Sequence, residues 1–332
     1  MVGSDAPTAE AGSPLPGPRD AQARRLYLDT LYTAATMYYV EDATQMQISQ
    51  RLGRSRTTIS RLLAEARRLG MVRTEVLRPQ HLDPRDLADR VRDALGVAAV
   101  HVGPAGTTDL AVSLGPTLSQ VLAKVGLSAG DVLLVSSGRH TYEVAHGPLP
   151  RLPGVRVVPT IGGIDQSQAW FQPNQIVQQV AAKIGGDPLL LFAPALPGAG
   201  LYEQLLEDPG TRRVMQAWSE ASCAIVGIGA PPRTRASLPS FVDTGDDAIM
   251  GAAGDVASRF YDAQGAPVHF EGVDRLVATP LDRFRELPHC IAVATGVDKV
   301  PSILAGARAG YFTDLVTDAD TAAALAALEE NR

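Results

Sequence analysis

Over the first quarter of the chain the apolar positions fall three and four residues apart. Leu26, Leu31, Ala34 and Ala35 follow one helical pattern through 27–40. Ile48 and Leu52 share a face of a short helix, and Ile59, Leu62, Leu63 and Ala66 line a face of another. Gly53 stands between the last two at the place of a tight turn, and Ser55 stands where a helix N-cap belongs. Gly70 ends the run, and 71–76 alternate like a short strand. This spacing predicts a helix-turn-helix with a supporting helix and a wing. Asp83 and Pro84 then open a helix with Leu87, Val91 and Leu95 on one face. From there the pattern changes to short unbroken apolar runs at 97–102, 132–136, 155–158, 189–192, 224–228, 291–294 and 312–316. Helical stretches at 109–125, 174–184, 211–219, 299–309 and 320–328 alternate with them. That alternation predicts an α/β fold with a doubly wound, mostly parallel sheet, whose ligands bind at the carboxyl ends of strands.

The polar face of the second short helix carries Arg56, Thr57, Ser60, Arg61 and Arg67. These types bond phosphates or base edges once a helix lies in the major groove. With Gln45, Ser55 and Thr58 at the helix starts, Arg56, Thr57, Ser60 and Arg61 form the expected DNA-contacting set. An ordinary helical hairpin with a solvated basic face is the plainer reading of the same pattern. Charge favours DNA: from residue 21 to 78 ten arginines face five carboxylates, within a chain of formal charge −6.

The 332 residues exceed what a DNA-reading module needs. The expected organisation is a disordered tail over 1–20, a helix-turn-helix domain over 21–78, a linker over 79–84, and an effector-binding and oligomerisation domain over 85–332. No apolar run reaches membrane-span length and no signal peptide is evident, so a cytoplasmic protein is expected. Cys223 and Cys290, the only cysteines, lie in apolar strand-like segments and read as reduced core thiols. No metal and no cofactor are expected.

Four strand-end loops carry candidate chemistry. Ser136-Ser137-Gly138-Arg139-His140-Thr141 combines a glycine, hydroxyls and a guanidinium, as an anion cradle or simply a polar loop. Thr160-Ile161-Gly162-Gly163 is a weak turn signal. In 251–262, Asp255 and Arg259 stand four apart, a spacing that also suits an ion pair on a helix surface. Thr295-Gly296-Val297-Asp298-Lys299 puts a lysine at a helix start, where it opposes the dipole; either a bound anion or solvent exposure accommodates it. Gly227-Ile228-Gly229-Ala230 lacks the third glycine and the later acidic residue of a dinucleotide fingerprint.

In order and spacing these segments resemble the SorC family of bacterial sugar-responsive transcriptional regulators. The DNA end matches in Gln47-Ile48-Ser49-Gln50-Arg51-Leu52-Gly53 and in Ser55-Arg56-Thr57-Thr58-Ile59-Ser60-Arg61-Leu62-Leu63. The effector end matches in Asn174-Gln175-Ile176-Val177, Gly227-Ile228-Gly229, Gly254-Asp255, Arg259-Phe260-Tyr261-Asp262, Thr295-Gly296-Val297-Asp298-Lys299 and the stretch 315–322. The resemblance runs from about Arg24 to the C-terminus. It implies a C-terminal domain related to sugar-phosphate isomerases and used for sensing, and tetramers built as dimers of dimers. It also implies effector contacts at Asp255 and Lys299. One motif departs: the family commonly has Trp-Gly-Arg-Thr where this chain has Ser137-Gly138-Arg139-His140. The aromatic wall and the threonine hydroxyl are replaced, and an imidazole is introduced that ordinarily titrates near neutral pH.

The expected effector site is Ser136, Gly138, Arg139, His140, Gly162, Gly163, Asp255 and Lys299, with Gly162 and Gly163 at its floor. The leading function is a regulator of carbohydrate or polyol catabolism whose hold on double-stranded operator DNA responds to a sugar, polyol or sugar phosphate. It would act as a homo-oligomer without membrane contact. The alternatives are an isomerase or aldolase-like enzyme using Asp255 and Lys299, and an architectural protein that oligomerises on DNA.

Overall fold

The computed structural model describes residues 21–41, 43–72, 84–104 and 109–328. The chain divides into two compact units, Met1–Arg78 and Pro79–Arg332.

The first unit is a three-helix cluster: α1 (Ala21–Tyr39), α2 (Gln45–Leu52) and α3 (Arg56–Arg68). Leu31, Ala34, Ala35 and Met37 of α1 pack on Ile48 of α2 and on Ile59, Leu62, Leu63 and Ala66 of α3. Leu26 does not join them and is 71% exposed. A capping box starts α2: the Thr44 hydroxyl accepts the Gln47 N–H at 3.3 Å, and the Thr44 N–H donates to Gln47 Oε1 at 2.8 Å. Gly53 ends α2 at φ 62°, the left-handed conformation that makes glycine the natural residue there. Ser55 caps α3 by accepting the Thr58 N–H at 3.1 Å. Thr44→Ala removes the hydroxyl that accepts the Gln47 N–H, keeps the backbone N–H that donates to Gln47 Oε1, and is expected to cost roughly 0.5–2 kcal/mol of local stability. Hydrogen exchange of the first amides of α2 measures it: protection should fall several-fold while that of α3 stays. Residues 73–76 of the expected wing, the tail over 1–20 and most of the linker lie outside the described residues.

The second unit is built on a sheet whose strands are β1 (Ala99–Val102), β2 (Val132–Val135), β3 (Arg156–Pro159), β4 (Asp187–Pro188), β5 (Cys223–Gly229), β8 (His289–Val293) and β9 (Asp314–Thr317). They lie in the order β1-β9-β8-β5-β2-β3-β4, all parallel. Two further strands, β6 (Gly254–Val256) and β7 (Arg259–Tyr261), form an antiparallel hairpin that extends β5 through Ile228–Val256 and Gly229–Asp255 pairs. Alternate residues enter opposite cores. Leu134, Val226, Ala292 and Leu315 pack with Trp218 and Phe284 on one face. Leu133, Ile225, Ile291 and Val316 pack with Leu118, Ile176 and Val180 on the other. The same alternation puts Cys223 and Cys290 in different cores as buried free thiols, and burial raises both pKa values, Cys223 to about 12.

Several expected elements change. Residues 189–192 are not a strand: pairing with β3 ends at Pro188, and Leu191 gives both its N–H and its C=O to the Asn174 amide. The helix expected over 109–125 breaks into Leu110–Ser113 and Gly115–Val125, because Pro116 lacks the N–H needed to continue it. The helical reading of Asp255 and Arg259 is wrong, since they lie on the two strands of the β6–β7 hairpin and make no ion pair with each other. Strand order reverses between β2 and β5: the chain runs outward from β2 through β3 and β4, then returns to the other side of β2. The crevice at the carboxyl ends of these two strands is the switch point of the sheet.

Candidate functional site

On α3, Arg56, Thr57, Ser60, Arg61 and Arg67 are exposed, as the amphipathic pattern requires. Ser55 and Thr58 of the expected DNA set are engaged with each other, hydroxyl to hydroxyl at 2.8 Å, and hold the helix start. Gln45 is partly buried and lines a shallow concavity with Tyr38, Tyr39 and Arg56.

The second unit has a cavity of about 450 Å³ at the switch point. Gly138 and Arg139 reach it from β2, Gly227 and Gly229 from β5, Asp255 and Ser258 from the hairpin, and Asp298 and Lys299 from the loop after β8. Gly138, Arg139, His140, Asp255 and Lys299 of the expected set therefore line one cavity. Ser136, Gly162 and Gly163 are not in the lining. Ser136 is fully buried, and its hydroxyl accepts the Gly227 N–H at 3.0 Å, tying β2 to β5 beneath the cavity. Gly162 and Gly163 spend their N–H groups on Val277 and Ala193 carbonyls, so they fasten the core and form no floor.

Two residues missed in the sequence complete the site. Arg235 reaches in from the turn after Pro232–Thr234 and pairs with Asp255 Oδ1. Asp255 Oδ2 accepts the Ser258 N–H at 2.9 Å. Trp170 supplies the aromatic wall that Ser137 does not, with the Arg139 guanidinium 4.4 Å from its ring centroid. Neither had a local signal, because each sits in an irregular stretch far along the chain from the loops it meets. A side chain at Gly229 would displace the Asp255–Arg235 pair: an added Cβ would stand 2.0 Å from Asp255 Oδ1 and 2.2 Å from Arg235 Nη2. The hairpin turn is unusual in placing Ala257 and Ser258 at φ 51° and 62°, an uncommon conformation for residues with a side chain, here facing the cavity.

His140 and Lys299 form one unit. Lys299 Nζ is 3.0 Å from His140 Nδ1, and His140 Nε2 is 2.9 Å from Thr295 Oγ1. The Thr295 N–H also donates to His140 Nε2 at 3.2 Å, so the ring is held by Lys299 at one nitrogen and by Thr295 at the other. Burial and then the Lys299 charge push the His140 pKa down to about 3, so this imidazole does not titrate near neutrality as expected. Burial and then the Arg235 charge lower Lys299 to about 8. The cavity thus presents three cationic side chains, Arg139, Arg235 and Lys299, and two carboxylates, the buried Asp255 and the exposed Asp298, among hydrogen-bonding backbone. Among the described residues no group of three or more His, Cys, Asp or Glu is placed to hold a metal ion. Among the same residues no helix is long and apolar enough to cross a membrane.

A helix-turn-helix unit joined to an α/β unit with a polar cavity at its switch point defines a class: ligand-sensing transcriptional regulators. Comparison with known proteins narrows it. Residues 80–327 match the family described as "Putative sugar-binding domain". The chain is 30% identical over 302 residues to the deoxyribonucleoside regulator of Bacillus subtilis, covering 88% of this chain and 95% of that one. It is 28% identical to the sorbitol operon regulator of Klebsiella pneumoniae over 87% and 94% of the two chains. The crystal structure of the full-length sorbitol operon regulator SorC from that organism superposes with a TM-score of 0.67 at 26% identity, covering 90% of this chain and 99% of that one. The chain belongs to the SorC family of transcriptional regulators with a sugar-binding domain.

Proposed function

We propose that α3 reads operator DNA and that the switch-point cavity binds the small molecule that controls it. The observation that carries the effector reading is the convergence of Arg139, Arg235 and Lys299 on a cavity that also holds Asp255. Cations for an anionic group and a carboxylate for hydroxyls suit a sugar, a polyol or a sugar phosphate. The position of Asp255 argues against catalysis: one carboxylate oxygen is held by Arg235 and the other by Ser258, so neither is placed as a free base. Lys299 is likewise engaged by His140. A thermal-shift screen of sugars, polyols and their phosphates tests the reading, because a ligand that binds the folded state raises Tm with concentration. The hit must also change operator affinity and show no turnover; a hit that is consumed supports the enzyme instead.

The protein is expected to work as a cytoplasmic oligomer, its reading helices paired on a quasi-palindromic site. Light scattering at micromolar concentration should give the mass of four chains. A monomer, with and without operator, would remove this part of the proposal.

A further inference from the structure

A second cavity, of about 520 Å³, lies beside β7. Met215, Trp218, Phe260 and Leu281 give it apolar walls, and Arg259 enters the lining. The helix Ala199–Glu207 contributes Tyr202 and Leu206, yet none of its residues is buried, so this wall is thinly packed. Arg259 is unusual. Its guanidinium donates to the carbonyls of Val273, Leu276 and Ala278, at 3.3, 3.0 and 2.8 Å. Its Nε is buried without an acceptor, and among the described residues no carboxylate lies within ion-pair distance. The two carboxylates in the lining, Asp274 and Asp282, belong to exposed residues, and Asp282 is engaged by Arg285. A cation held by neutral carbonyls against apolar walls is charge-complementary to an anion with an apolar body.

We propose that this cavity is a second small-molecule site, which takes a compact amphipathic carboxylate with its chain among Met215, Trp218, Phe260 and Leu281 and its anionic end toward Arg259. The site is distinct from the effector cavity, no residue lines both, and the two linings meet where Arg235 stands over Phe260. The Arg235 guanidinium, which holds Asp255 in the effector cavity, lies 5.8 Å from the centroid of the Phe260 ring. An occupant that shifts Phe260 acts on the hairpin that carries Asp255, so the site is placed to bias effector binding.

The chain has two tryptophans, and each reports on one cavity: Trp170 on the effector cavity and Trp218 on this one. In full-length Trp170→Phe protein, 8-bromooctanoate, whose bromine quenches on contact, should quench Trp218 saturably. 8-Bromo-1-octanol, with the same body and no charge, should bind at least about tenfold more weakly. Arg259→Gln should abolish that preference. Because this variant also loses carbonyl contacts, the acid–alcohol comparison on native Arg259 decides the matter if it does not fold. Equal binding of acid and alcohol, or no saturable quenching, would overturn the proposal. So would quenching confined to Trp170 in the Trp218→Phe protein, which puts the acid in the effector cavity. Loss of quenching as the scattering mass rises with protein concentration would overturn it as well, by showing that a second copy covers this face.

Discussion

Lys299→Ala should leave operator binding in the absence of effector unchanged and abolish the response to effector, moving the dose–response curve by about 100-fold or more. The amine is partly buried, faces the cavity and is close enough to Arg235 and Asp255 to feel their charges, so its loss is expected to remove one strong charge-assisted bond to the proposed ligand. Helix α3, proposed to read DNA, belongs to the other compact unit, so basal DNA affinity is the internal control. The pH dependence gives a second check. Burial holds the Lys299 pKa at about 8, below the ordinary 10.5. A depressed lysine pKa means that folding disfavours the charged form. This penalty is full below about 8 and is relieved as pH rises from there toward 10.5, so stability from this group increases across that window. An anionic effector needs the ammonium, and its affinity should move the other way. It should be flat from about pH 6 to 7.5, since His140, at about 3, stays neutral throughout, and should fall as pH passes 8. Operator release titrated against an effector of fixed charge measures both limbs. A wild-type dose–response in Lys299→Ala places the effector elsewhere.

Arg56→Ala should weaken specific operator binding by about 1–3 kcal/mol, roughly 5- to 150-fold, if Arg56 makes a bidentate contact with guanine. Arg56 is exposed at the first position of α3 and has no ion-pair partner among the described residues, so its removal costs the fold little. Melting should therefore stay nearly unchanged. Arg67→Ala, near the far end of the helix, should weaken binding evenly across DNA sequences and lower the salt slope, as a phosphate contact does. Competition with scrambled operator separates the two: equal loss on specific and scrambled DNA for Arg56→Ala assigns it to phosphate rather than base.

Much of the architecture was legible because local rules act on neighbouring residues. Helical spacing put Ile48, Ile59, Leu62 and Leu63 in one core, and a glycine and two hydroxyl caps marked where α2 and α3 stop and start. Unbroken apolar runs marked the central strands, since a parallel strand is buried on both faces. Gly138, Arg139, His140 and Lys299 were legible as residues just past strand ends, the side of the sheet that ligands use, whereas Asp255 was named as an effector contact only by the family resemblance and lies on β6. Only the tertiary structure could decide which loops meet. Strand order turns between β2 and β5, and that is a property of non-local pairing. It brings Trp170 and Arg235 into the cavity, leaves Gly162 and Gly163 bound to core carbonyls, and buries His140 beside Lys299 so that the imidazole stays neutral. The β6–β7 hairpin was hidden for the same reason: three-residue strands are too short to show a period, and their pairing is set by the end of β5. Periodicity along a chain reports which face of an element is buried, and it carries no information about what that face is buried against.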